Sequence, residues 1–224
     1  MNRNSLESPA VAATLARLFA AADAHDPAVI ARARASAVAR RAPMSDSDPG
    51  VAAALGDAFI SVAPAVGRLL YLLARAKTKP LIVEFGTSLA ISTIHLAAAA
   101  RDAGGRVITA EQEPRKIERA RAHLVEAGVA DVVELRVGDA LQTLAELPAP
   151  IDFLFLDGWK KLYMPLLRVV EARLAPGALV VADDTLRFAD DMRPFLEHVR
   201  APGSGYVAID MPMDDGLELA IRTT

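Results

Sequence analysis

The chain of 224 residues has no cysteine, a single tryptophan, only 4 histidines and an aromatic content of 5%. Without cysteine there is no disulfide framework, thiolate zinc site, iron–sulfur cluster or cysteine nucleophile. Any bound metal must take oxygen or imidazole ligands, and His25, His95, His123 and His198 lie in no ligand-like spacing. Excess positive charge is also absent, since 25 basic residues face 28 acidic ones for a net charge of −3. That leaves neither the positive field nor the basic tail that duplex binding needs, so no nucleic-acid partner is expected. Long apolar runs are missing as well: Leu69–Ala74 and Leu96–Ala100 fall far short of the roughly 20 residues of a bilayer span. Ser8–Asp23 is apolar but is interrupted by Arg17 and has no basic leader, which does not fit a signal peptide. A soluble, cytoplasmic protein with no membrane partner is expected.

What remains is enough for one globular domain with a modest appendage. Ser8-Pro9 and Asp26-Pro27 each read as a capping residue before a first-turn proline, which predicts two N-terminal helices. Arg32, Arg34, Arg40 and Arg41 on the second read as a solvated face, with a phosphate or partner patch as the alternative. Residues 42–50, APMSDSDPG, are turn-forming and mark a linker or loop. This divides the chain into an N-terminal helical cap, 1–50, and a main domain, 51–224. In the latter, apolar strand candidates at Leu81–Phe85, Arg106–Ala110, Val132–Val137, Ile151–Leu156 and Ala178–Ala182 alternate with helical stretches at Ser92–Arg101, Pro114–Ala127, Ala140–Leu147 and Lys160–Leu174. Near-continuous apolar strands joined by helices predict a parallel sheet covered on both faces. Tyr206–Met211 and Leu217–Arg222, flanking Pro212–Gly216, read as a closing hairpin. The predicted fold is therefore α/β, a Rossmann-like doubly wound, mostly parallel seven-stranded sheet ending in an antiparallel hairpin.

The first strand runs into Glu84-Phe85-Gly86-Thr87-Ser88-Leu89-Ala90-Ile91-Ser92. Small residues there admit a ligand to the backbone, and the helix behind offers unpaired N–H groups. The second strand ends at Glu111, where doubly wound folds place an acidic residue against ribose hydroxyls. A dinucleotide loop wants G-x-G-x-x-G, and Ser88, Leu89 and Ala90 stand where further glycines would fall. A nucleoside without phosphates, of which S-adenosylmethionine is one, fits better than NAD. Asp139 in Gly138-Asp139-Ala140 either accepts from an adenine amino group or caps the next helix.

The fourth strand ends in Asp157-Gly158-Trp159-Lys160 and the fifth in Asp183-Asp184. Neighbouring strands lie about 4.8 Å apart, so these carboxylates come close, and they need a cation or protonation to coexist. A hard ion such as Mg²⁺ takes oxygen ligands; helix capping is the alternative. Lys160 at a helix start opposes the dipole, and its neighbour Lys161 competes with it as the functional cation. Trp159 serves either as packing or as pocket wall.

VEFGTSLAIST, ITAEQE, VGDAL, FLFLDGWKKLY and LAPGALVVADDT, in that order, resemble the cation-dependent class I O-methyltransferases, the group of catechol and caffeoyl-coenzyme A O-methyltransferases. The similarity runs from about Ile60 to Arg222. It implies S-adenosylmethionine as cofactor, a divalent cation (Mg²⁺ first), a small phenolic acceptor and a homodimer. By position, Glu84, Gly86, Ser88 and Ser92 fall at the methionine end, with Ser61 and Val62 closing over it. Glu111 and Gln112 fall at the ribose, and Asp139, Ala140 and Trp159 around the adenine. Asp157, Asp183 and Asp184 fall on the metal ligands, and Lys160, with Asp157 beside it, on the catalytic lysine. Ala90 stands where the family usually carries glycine, and Asp184 where it usually carries asparagine. Asp210 is the only counterpart offered for the acidic residue that contacts a second acceptor hydroxyl. A metal-independent methyltransferase of a carboxylate or amine, and a non-catalytic cofactor-binding module, are the rival readings.

Overall fold

Positions Leu15, Leu18, Ala22, Asp26, Val29 and Ala33 recur every three or four residues and are all buried, a stripe that passes Asp26-Pro27 without a change of phase. The computed structural model, which describes residues 4–40, 49–148 and 150–224, accordingly shows one helix, α1 (Pro9–Ala39), where two were expected. Continuous burial of the stripe overrides the local start signal, and Asp26 caps nothing; its carboxylate accepts instead from the backbone N–H groups of Phe59 and Ile60. Ser8 does cap α1, accepting from Val11 N. The loop expected at 42–50 lies, as far as residue 48, outside the described residues.

After α2 (Pro49–Leu55) and α3 (Pro64–Arg75) the strands and helices alternate: β1 (Leu81–Phe85), α4 (Ile91–Ala103), β2 (Arg106–Glu111), α5 (Pro114–Glu126), β3 (Val133–Val137), α6 (Ala140–Thr143), β4 (Ile151–Leu156), α7 (Tyr163–Val170), β5 (Leu174–Asp183), α8 (Ala189–Arg200), β6 (Tyr206–Met211) and β7 (Leu217–Arg222). The sheet order is β3-β2-β1-β4-β5-β7-β6, parallel as far as β5 and antiparallel through the hairpin. The expected seven-stranded doubly wound sheet is what the chain forms. Two of the expected helices are shorter than the sequence pattern predicts. The stretch Ala140–Leu147 is a single turn, because Leu144 and Leu147 turn inward to the core, and Lys160–Leu174 is an eight-residue helix between 3₁₀ turns, with β5 beginning already at Leu174.

One apolar layer joins α1, α3, α4 and α5 to one face of the sheet, with Val11, Leu15, Leu18 and Ala22 of α1 inside it. The other joins α6, α7 and α8 to the opposite face. The strand order reverses between β1 and β4, and it is outside the carboxyl ends of strands at such a switch point that open α/β sheets bind ligands. Among the described residues, no helix is long and apolar enough to cross a membrane.

Candidate active site

The β1 and β4 ends meet so closely that a side chain on Gly86 would place its Cβ 2.5 Å from Asp157 O and 2.8 Å from Gly158 N. With φ at +103°, Gly86 is also in a backbone region closed to other residues. The glycine is thus demanded first by the contact of two loops, before any ligand. Ser88 (φ +47°) and Ala90 (φ +67°) continue the turn in the left-handed region, and Ala90 N closes it onto Thr87 O.

Glu111, on β2, reaches back to this turn. Its Oε2 accepts from Ser88 N at 2.8 Å, and its Oε1 from the N–H groups of Gln112 and Glu113, each at 2.9 Å. Three backbone donors therefore fix the carboxylate at the mouth of the cleft. Lys116 on α5 donates to Ser88 Oγ at 2.9 Å, and burial lowers its pKa against the pull of Glu111 and Asp26. Asp139 accepts from Leu141 N and so does cap α6, but it also faces the cleft.

At the other end, Lys160 is buried with its Nζ 2.7 Å from Asp184 Oδ2, 3.3 Å from Asp157 Oδ1 and 2.9 Å from Tyr163 Oη. Burial alone would lower the ammonium's pKa; Tyr163, Asp157 and Asp184 outweigh it and hold Lys160 well above its ordinary value. Burial raises Asp157, with Lys160 opposing and Asp183 and Asp184 adding to the rise. Asp183 is pushed up to about 7 by burial and by the charge of Asp184. Lys161 is half exposed and turned to Asp191, which separates the two lysines.

A single cavity of about 730 Å³ connects these features. Ser61, Val62, Gly86, Ser88, Glu111, Gln112, Asp139, Ala140, Asp157, Trp159, Lys160, Asp183 and Asp184 all line it. Glu84 and Ser92 do not. Glu84 is fully buried behind the turn and accepts from Ser92 Oγ, Thr93 Oγ1 and Thr109 Oγ1 at 2.6–2.7 Å, so both support the turn from within, and Ser92 reaches only a small adjoining hollow. Asp210 is also outside the cavity, on β6 beside Arg200. Residues that the sequence reading passed over do line it: Asp26, Ile60, Lys116 and the Arg187–Asp215 ion pair. Asp26 had a detectable signal, a charge within an apolar stripe; Tyr163 had one too, one helical turn after Lys160.

The three aspartates supply hard oxygen donors whose crowding and burial resist ionisation in Asp157 and Asp183, and a divalent cation suits such a group. Their present arrangement closes on Lys160, and among the described residues no three potential ligands are gathered around a metal position.

The stretch 83–185 matches the family described as a methyltransferase domain. Over 149 residues the chain is 41% identical to a catechol O-methyltransferase of Mycobacterium tuberculosis, covering 62% of this chain and 66% of that one. A catechol O-methyltransferase of Niastella koreensis is 35% identical over 132 residues, 57% of this chain and 59% of its own. The matched stretch thus spans just under two thirds of these curated relatives. Among solved structures, cofactor-bound Rv0187 from MTB superposes with a TM-score of 0.70 at 33% identity, covering 79% of this chain and 90% of that one. The O-methyltransferase TomG from Streptomyces achromogenes, in complex with SAM, gives a TM-score of 0.67 at 33% identity, over 74% of this chain and 82% of its own.

Proposed function

The chain belongs to the class I S-adenosylmethionine-dependent O-methyltransferase family, and from that premise we propose that it moves the cofactor's methyl group onto a hydroxyl of a small phenolic or catechol-like acceptor. The observation that carries this reading is the one cavity that holds both the Gly86–Ser88–Glu111 turn and the Lys160–aspartate cluster. The turn, with Ser61 and Val62 over it, holds the methionine end; Glu111 and Gln112 take the ribose, and Asp139, Ala140 and Trp159 surround the adenine. Bound by Asp157, Asp183 and Asp184, a divalent cation, Mg²⁺ first, would supply a Lewis acid for the acceptor hydroxyl and take up the charge that keeps Lys160 protonated. With the cation in place Lys160 would give its proton to water, and the neutral amine would then accept the proton of the acceptor hydroxyl; S-adenosylmethionine would supply the electrophilic methyl group for the freed oxygen. Leu162 and Phe188 also line the cavity, and their apolar side chains help exclude water.

The test is a methyl-transfer screen over catechols, hydroxycinnamoyl esters and polyketide phenols, with Mg²⁺ and with a chelator. Methylated phenol formed only with the cation is the expected result. Activity indifferent to chelation removes the cation and favours the metal-independent alternative.

A further inference from the structure

The segment between α2 and α3 forms the wall of the cavity nearest the β1–α4 turn, and what holds it is a carboxylate from α1. Asp26 is 9% exposed, sits in the interior of its helix and gives both oxygens to the segment: Oδ1 accepts from Phe59 N and Oδ2 from Ile60 N, each at 2.8 Å. From the other side Ser88 Oγ donates to Phe59 O at 2.7 Å. Ser88 is in turn tied through its N–H to Glu111 and through its hydroxyl to Lys116. The Phe59–Ile60 peptide is therefore held between the N-terminal helix and the turn that the cofactor meets.

Ile60 shows that this hold is needed. Its φ is +45°, a region that β-branched residues avoid, and it is half exposed on the cavity wall, so core packing does not force it there. Without the Asp26 carboxylate nothing in these contacts would hold Ile60 at positive φ, and a return to extended backbone would turn over the peptide leading to Ser61 and Val62.

We propose that Asp26 is a positioning residue for the cofactor, acting through residues 59–62, so that α1 sets the shape of the site although it carries none of the reacting groups. The proposal rests on the methyltransferase reading of the cavity. It is tested by calorimetric titration of S-adenosylhomocysteine into the wild-type chain, Asp26→Ala and Asp26→Asn, and into Asp26→Ala combined with Ile60→Asn or with Ile60→Val. Thermal melts on the same samples report folding, and the near-isosteric Asp26→Asn guards against simple loss of the helix. An amide accepts at one atom only and alanine at none, so both single variants should weaken binding, Asp26→Ala the more, by about tenfold. Asparagine tolerates the left-handed region, so Ile60→Asn should recover most of the lost affinity in the Asp26→Ala chain and Ile60→Val none. Wild-type affinity in both single variants overturns the proposal, as does recovery by Val equal to that by Asn. A wild-type chain that does not bind S-adenosylhomocysteine overturns the reading of the cavity and this proposal with it.

Discussion

The Lys160 ammonium lies 2.7 Å from the Asp184 carboxylate, joining the ends of β4 and β5 in a place where both side chains are largely hidden from water. A buried pair of this kind is costly to break, because the partner left behind keeps its charge and loses its counterion. Lys160→Met should therefore do two things. Turnover should fall by about 10²-fold or more, the usual contribution of a proton acceptor, with S-adenosylhomocysteine affinity nearly unchanged. Stability should fall by about 3 kcal/mol, read by urea denaturation at neutral pH. Unchanged turnover would remove Lys160 from the chemistry.

The two departures from the family pattern share a backbone feature: Ala90 and Asp184 both have φ at +67°, where glycine and asparagine are the tolerant residues. At Ala90 the relief from a glycine is offset by loss of a fully buried methyl, so Ala90→Gly should be close to neutral. At Asp184 the effects of asparagine oppose one another: it fits the backbone and removes a charge that raises Asp183, but it takes from the buried Lys160 ammonium its nearest carboxylate. Asp183 is raised to about 7 from an ordinary 3.8, first by burial, then by Asp184. The folded state thus holds a proton that the unfolded state gives up, and stability falls as pH rises from about 4 toward 7. Asp184→Asn should flatten that fall, so without added cation its urea midpoint relative to the wild type should be more favourable at pH 7.5 than at pH 5. An equal difference from the wild type at both values would show that Asp184 does not act through the titration of Asp183.

The strands were legible because each is an apolar run ending in a polar switch, as in Phe153-Leu154-Phe155-Leu156-Asp157, and the sheet then places those ends together. Glu111 and Asp157 were legible as candidates because strand ends bear ligands in this architecture, and Lys160 through the family resemblance; the fold sets all three on one cavity. Asp26 was misread because Asp-Pro looks alike at a helix start and in a helix interior; only the donors on Phe59 and Ile60, more than 30 residues away in the chain, decide between them. Glu84 and Ser92 share a motif with Gly86, yet β1 alternates its faces, and Glu84 turns to Thr93 and Thr109 instead of the cavity. Such choices depend on which side chains a neighbouring strand or helix presents, and local spacing does not contain that.

Gly86→Ala tests the contact of the β1 and β4 loops. The added methyl would sit 2.5 Å from Asp157 O, a backbone atom that yields only if the loop moves. Added to the left-handed backbone cost, this should destabilise the fold by about 2–4 kcal/mol and displace Asp157 from Lys160. Gly128→Ala is the control, with φ at +66° and nothing within 4 Å of the new methyl. It should cost only about 1 kcal/mol, the backbone part alone. Equal losses in urea denaturation would show that the loop contact carries no weight.

His95 gives an acid-side prediction away from the cavity. Its ring is almost wholly buried on α4, above Gly67, where a Cβ would come within 2.6 Å of it, and its Nδ1 lies 2.8 Å from Ile91 O. Burial lowers its pKa from 6.5 to about 4, against the Ile91 carbonyl, which favours the charged form. The unfolded chain therefore binds a proton here below pH 6.5 that the folded chain refuses, and stability falls as pH drops from 6.5 toward 4. At pH 5 the gap is about 1.5 pH units, or about 2 kcal/mol. His95→Asn should cost stability at pH 7.5 through lost packing but lose about 2 kcal/mol less than the wild type between pH 7.5 and pH 5. Every other titrating group acts on both chains alike, so the difference between their urea curves isolates this ring. Parallel pH profiles would show that His95 is not held neutral by its burial.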